Sequence, residues 1–223
     1  MAWMIKIKNW VLNAIFPTVC LTSGIKLNKT FFCSVCKSRL PYNKKTCHRS
    51  APYILAPAAS YSDEQVRKLI WQLKYRGRSG NAIMLGNLLI NYLKNLNIAR
   101  QLADENFVIV PIPLSKNRLR QRGYNQAALI AKIVAEQIQL PIEESALVRV
   151  KDSLPQAETK DWDQRRKNIA GCFGVKNPEQ IKNKNIILID DVSTSGSTLA
   201  EAVHQLKACG AKKIIGLVAA KAG

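Results

Sequence analysis

Ile186-Ile187-Leu188-Ile189-Asp190-Asp191-Val192-Ser193-Thr194-Ser195-Gly196-Ser197-Thr198 passes from four consecutive apolar residues to two adjacent carboxylates and then to a run of small and hydroxyl residues. The apolar run predicts a buried strand that delivers the carboxylates into a loop, with a helix beginning near Leu199. Amides from Thr194 to Thr198, with no large side chain between them and Gly196 in their midst, can curl around a phosphate at the positive end of that helix. Ser193, Thr194, Ser195, Ser197 and Thr198 add hydroxyl donors. Asp190 and Asp191, at the carboxyl end of the strand, can accept hydrogen bonds from two vicinal hydroxyls. The ligand expected from these residues is a ribose 5-phosphate. An ordinary strand, turn and capped helix would use the same residue types, but rarely two carboxylates and five hydroxyls together.

Working outward, strands and helices alternate. Tyr53 to Tyr61 reads as a strand. Ser62-Asp63-Glu64 opens a helix through Trp71 to Tyr75, which Arg76-Gly77-Arg78-Ser79-Gly80 ends, and a second helix runs from about Asn81 to Leu96. Phe107 to Pro111 is a strand that turns at Pro111-Ile112-Pro113, and a helix covers about Asn125 to Gln137. Val148, Val150 and Ile169 to Val175 read as short strands or edges flanking a polar loop from Lys151 to Asn168. The Ile186 strand, a helix from Thr198 to Cys209 stopped by Gly210, and a strand from Ile214 to Ala219 close the order. This alternation predicts an α/β fold with a mostly parallel sheet, flanked by helices, and ligands at the carboxyl ends of its strands.

Other segments reach the same rim. After Val110 the chain carries Lys116, Arg118, Arg120 and Arg122 with no carboxylate among them. Such a cluster suits a pyrophosphate that must be neutralised before it departs, or a nucleic-acid backbone. The loop to Asn168 is long and charged, as functional covers and disordered segments are. Its Trp162 either stacks on a base or anchors the loop. His204 reads as a solvated helix residue, and Cys172 and Cys209 as inert thiols in apolar or helical settings.

The formal charge is +19 over 223 residues, and residues 1 to 62 hold nine Lys or Arg and no acid. A field of that sign favours polyanions: nucleic acid, anionic lipid or phosphorylated metabolites. No apolar run approaches the roughly 18 residues of a membrane span, so a cytoplasmic protein is expected. Trp3, Ile7, Trp10, Val11, Ala14 and Ile15 form one helical stripe within residues 1–16. That helix docks on the protein itself or lies peripherally on the inner face of a membrane. It is not a signal peptide, because Lys6 and Lys8 interrupt any apolar core and Val19 is a poor cleavage position.

Cys20, Cys33, Cys36 and Cys47 crowd the same basic segment. Cys33-Ser-Val-Cys36 has the spacing that turns two thiolates onto one Zn²⁺, with Cys20 and Cys47 completing a tetrahedron or His48 as the alternative fourth ligand. Ser23 stands where a second close partner of Cys20 would be expected. A redox pair is disfavoured because no strand precedes it, and free thiols are the remaining alternative. Residues 1–52 are thus expected to form an amphipathic helix plus a small zinc-ribbon-like module, and residues 53–223 the α/β domain.

The run from Asp190 to Thr198 closely resembles the PRPP-binding loop of the type I phosphoribosyltransferases. With the cysteine-bearing N-terminus, Leu73-Lys74-Tyr75-Arg76-Gly77, Val110-Pro111-Ile112-Pro113-Leu114, Arg122-Gly123-Tyr124-Asn125-Gln126, Gln156, and Arg166 with Asn168, the whole chain is similar to the ComF family of the ComFC/GntX type. That resemblance implies a type I phosphoribosyltransferase fold behind a zinc-binding N-terminal module, and a role in handling incoming single-stranded DNA during natural transformation. It implies that Asp190 and Asp191 hold the ribose hydroxyls and Ser193 to Thr198 the 5-phosphate. Lys116, Arg118, Arg120, Arg122, Asn125, Gln126 and Arg166 would face the pyrophosphate or nucleic acid. Mg²⁺ would bridge the pyrophosphate and the ribose hydroxyls, with the carboxylates assisting through contacts to the groups that bind it. Three functions stay open: a PRPP-binding DNA-uptake factor, an active phosphoribosyltransferase releasing pyrophosphate to an unidentified acceptor, and a scaffold that binds another competence or DNA-processing protein or the membrane.

Overall fold

The computed structural model describes residues 48–50, 53–151 and 169–222. The first half contains β1 (His48–Ser50), β2 (Tyr53–Ser60), α1 (Glu64–Tyr75), α2 (Asn81–Asn95), α3 (Ala99–Asp104), β3 (Phe107–Pro111), α4 (Lys116–Arg122) and α5 (Gln126–Ile138). The second half adds β4 (Leu147–Arg149), β5 (Phe173–Val175), a short 3₁₀ turn (Pro178–Gln180), β6 (Asn185–Ser193), α6 (Ser197–Ala208) and β7 (Ile214–Lys221).

One sheet has the order β1-β2-β7-β6-β3, with β1 antiparallel to β2 and the other pairs parallel. The mostly parallel α/β reading therefore holds. β6 and β7 lie inside the sheet and are covered on both faces, which requires nearly unbroken apolar runs. Ile186 to Ile189 and Ile214 to Ala220, Gly216 apart, supply them. Side chains alternate along β6. Ile186 and Leu188 join Leu199, Val203 and Leu206 of α6 and Leu147 and Phe173 of the β4/β5 hairpin in one core cluster. Ile187 and Ile189 face the other way, toward the side where α2 and α5 pack together.

Helix ends are set locally. Asp63 caps α1, its carboxylate accepting from Val66 N at 2.9 Å, and Val66, Leu69, Ile70 and Leu73 form the buried stripe. Asn125 caps α5, its Oδ1 accepting from Ala127 N at 3.0 Å while its Nδ2 donates to Ile112 O at 3.0 Å. The side chain thereby ties the helix to the end of β3. Gly86 of α2 lets the two helices meet: a Cβ there would lie 2.7 Å from Ile133 Cγ2 of α5.

Four expectations need correction. β6 does not end before the carboxylates. It runs to Ser193, because β7 stays in register beside it through Asp190↔Val218, Val192↔Ala220 and Ser193↔Lys221. The following helix starts at Ser197, one residue ahead of the expected Thr198. The cationic segment after Val110 is a helix, capped by Ser115 Oγ on Arg118 N and stopped by Gly123 at φ 80°. Val150 lies beyond the hairpin strand, although its N–H still donates to Cys172 O at 2.9 Å. Among the described residues no helix is long and apolar enough to cross a membrane.

Candidate functional site

β3 stops at Pro111, opposite Ile189, whereas β6 continues to Ser193. The last four residues of β6 therefore project past their neighbour, and a cavity of about 500 Å³ opens at that step. This is the carboxyl edge of the parallel strands, where such sheets bind ligands. The floor is Asp190 to Gly196 with Thr198 and Leu199, and the walls include Lys74, Tyr75, Arg118, Gln121, Arg122, Gln126 and Arg149.

Strand alternation separates the two carboxylates. Asp190 follows Ile186 and Leu188 onto the α6 side, and Asp191 follows Ile187 and Ile189 onto the α1, α2 and α5 side. On that side Lys74, from the last turn of α1, places its Nζ 2.8 Å from Asp191 Oδ1. Asp191 is almost wholly buried, its side chain 2% exposed, against 19% for Lys74. Its second oxygen, Oδ2, is buried without a hydrogen-bond partner, as is Ser193 Oγ. Orphaned buried oxygens are costly and point to a ligand that completes them.

Asp190 is in tighter electrostatic straits. Burial and the neighbouring Asp191 charge push its carboxyl up to about 7, against the opposing pull of Lys74, the Asp191 amide at 2.8 Å and Arg149. For Lys74, burial alone would lower the ammonium pKa. The charges of Asp191 and Asp190, with the hydrogen bond to Asp191, outweigh it and hold the group above its ordinary value. The pair thus carries one firmly paired charge and one carboxyl able to exchange a proton near neutrality.

The loop after the carboxylates is compact. Gly196 occupies the left-handed region at φ 77° as the residue preceding α6 and has no side chain with which to cap it, while Ser195 Oγ accepts from Ser197 N at 3.4 Å. Ser195 Oγ lies 2.9 Å from Ser197 Oγ. Ser193, Thr194, Ser195, Gly196 and Thr198 line the cavity, and Ser197, also buried, stands just behind it. Backbone amides beside several hydroxyls at a helix start form an anion cradle.

Of the cationic set, Arg118 and Arg122 line the cavity, and Arg122 Nη1 donates to Gln126 Oε1. Lys116 and Arg120 ride the same short helix away from it, Arg120 bonding Asn117 Oδ1 at 2.5 Å. Asn125 braces the turn from outside the lining. Tyr124 Oη donates to Leu73 O at 2.5 Å and so clamps the end of α1 against this turn. Sequence reasoning assigned no role to Lys74, Tyr75, Gln121 or Arg149. Lys74 and Tyr75 did lie in a quoted motif, and the missing signal was that α1 ends beside β6.

Arg166, Cys20, Cys33, Cys36, Cys47 and Trp162 lie outside the described residues, as does the side chain of His48. Among the described residues there is no cluster of three or more His, Cys, Asp or Glu able to hold a metal. The cavity's donors are all oxygens on the acidic side, with Asp191 Oδ2 and Ser193 Oγ unpartnered, and that chemistry fits Mg²⁺ arriving with an anionic ligand.

A model of the phosphoribosyl transferase domain matches residues 125–223. The chain is similar to competence protein F of Haemophilus influenzae, with 28% identity over 201 residues that cover 87% of each chain. It is 31% identical to DNA utilization protein YhgH of Escherichia coli O157:H7 over 66% of this chain and 63% of that one. Competence protein ComFC of Bacillus subtilis is 31% identical over 63% of this chain and 52% of its own. The match thus spans just under two thirds of YhgH and about half of ComFC.

Proposed function

Since the chain belongs to the ComF family of phosphoribosyltransferase-like proteins, we propose that it binds PRPP in the cavity at the end of β6 and handles incoming single-stranded DNA in natural transformation. The observation that carries this reading is the convergence on one cavity of the acidic pair, the start of α6 with its hydroxyls, and Arg118 and Arg122. The 5-phosphate would sit on the amides and hydroxyls of Thr194 to Thr198. The ribose hydroxyls would meet Asp190 and the open Oδ2 of Asp191. Arg118 and Arg122 would face the pyrophosphate and spread its charge. Bound Mg²⁺ would neutralise the pyrophosphate, and Asp191 and Ser193 would hold it directly or through water.

Calorimetric titration of PRPP with Mg²⁺ into the wild type and an Asp190→Asn/Asp191→Asn variant tests the reading. Binding lost in the variant supports it, and no binding to folded wild type removes it.

A second reading, turnover, is favoured by Asp190. A carboxyl held near neutrality beside the ribose position can take a proton from an attacking acceptor as pyrophosphate leaves the anomeric carbon. Pyrophosphate release that depends on Asp190 is its assay. The zinc module at Cys20, Cys33, Cys36 and Cys47 and the membrane-facing helix of residues 1–16 belong to the same proposal. Metal analysis of the purified chain and of a Cys33→Ser/Cys36→Ser variant tests the first, and sedimentation with anionic vesicles the second.

A further inference from the structure

Beside the cavity lies an aromatic and cationic edge. Arg67, Trp71 and Tyr75 follow one another at four-residue intervals on the outward face of α1, opposite its buried stripe. The two rings have centroids 6.2 Å apart at 47°, and they are 43% and 66% exposed. A guanidinium attends each ring: Arg76 is 5.0 Å from the centre of Trp71, and Arg122 is 5.8 Å from that of Tyr75. A cation covers one face of a ring, and with so much of Tyr75 in solvent the other is left open. Tyr75 and Arg122 also line the cavity, so the edge is continuous with its mouth. No Asp or Glu occurs from Gln65 to Ala103 or from Asn106 to Ala135.

We propose that Trp71 and Tyr75 are a stacking platform for the bases of a single-stranded nucleic acid, whose phosphates lie against the arginines around them. Open ring faces interleaved with guanidinium groups are the chemistry that holds unpaired bases and their backbone together. A duplex keeps its base faces stacked internally and cannot use the rings. An inorganic phosphate would use the arginines alone. The strand so held brings a nucleotide to the mouth of the cavity. This deepens the PRPP reading and rests on it for what lies next door, while the platform itself requires only the rings and cations.

The test is fluorescence anisotropy of the full-length protein with a labelled oligothymidylate of about 15 nucleotides and an abasic strand with the same number of phosphates. One to two stacked bases should make wild type prefer the base-bearing strand by about tenfold or more. Trp71→Ala/Tyr75→Ala should lose that preference while keeping the salt-dependent binding common to both strands, and Trp71→Phe/Tyr75→Phe should retain it. Equal affinity of wild type for the two strands, or a preference undiminished in the alanine variant, overturns the proposal and leaves the edge to a protein partner. PRPP titration of the same proteins separates the two readings. Base preference without PRPP binding keeps the platform and removes the sugar-phosphate site, and PRPP binding without base preference does the reverse.

Discussion

Lys74→Met removes the cation nearest to a carboxylate that has almost no access to water. At the observed 2.8 Å the attraction is gross, about 6 kcal/mol at an effective dielectric constant of ~20. Desolvation of the ammonium offsets part of it. Stripping one partner from a buried pair commonly costs about 3–5 kcal/mol, and the partial exposure of Lys74 places this site near the lower end, about 3 kcal/mol. For a domain of this size that corresponds to a fall in Tm of roughly 6–12 °C. The loss should depend on pH in a particular direction. Without Lys74 the acidic pair can shed charge only by binding a proton, and Asp190 is already poised to do so. The deficit should therefore be largest at pH 8 and shrink at pH 5.5. Urea unfolding followed by circular dichroism at both pH values measures it, and Lys74→Met/Asp191→Asn should recover most of the loss. A deficit below about 1 kcal/mol at pH 8, or one equal at both pH values, would show that the pair is not electrostatically coupled as its geometry implies.

Asp190→Asn should stabilise the protein relative to wild type at pH 8, because a carboxyl raised from 3.8 to about 7 binds more protons folded than unfolded. Wild-type stability from this group is greatest below pH 3.8 and falls as pH rises toward 7, by at most about 1.4 kcal/mol per unit. The variant's advantage in urea melts should accordingly grow from pH 4.5 to pH 7 and then level off, and a pH-independent difference contradicts it. Gly86→Ala should destabilise by about 1–2 kcal/mol despite alanine's better helix propensity, because the new methyl meets Ile133 at 2.7 Å. Pairing it with Ile133→Ala should reverse the sign of the first substitution's effect in thermal melts.

The Ile186 to Thr198 segment was legible because its order of residue types is local: an apolar run, then acids, then small residues. Its boundary was misjudged because β7 prolongs the pairing, a long-range effect that the acids themselves do not announce. α4 was hidden for the opposite reason. It buries no residue, so it has no apolar period, and only Ser115 before it and Gly123 after it mark its ends. α3 is too short to show a period. Lys74 sits 117 residues before its partner, as the positions 191 and 74 give directly. Its motif was visible, but only tertiary packing shows that the last turn of α1 meets the odd-numbered face of β6. The split of Asp190 and Asp191 to two sides of the sheet was implicit in strand alternation and obscured by reading them as loop residues.

The place of β7 bears on how the molecule comes to be made. It is the last strand described, yet it is the partner of both β2 and β6. Its pairing with β2 joins Ile54 to Ile215, a loop closure across most of the chain. Synthesis from the N-terminus therefore exposes β2 and β6 as unpaired apolar edges until Ile214 to Lys221 emerges. Such contacts form slowly. The sheet edge that carries the acidic pair is thus completed only once β7 has emerged, and until then the nascent protein presents two sticky strands to chaperones and to neighbouring copies.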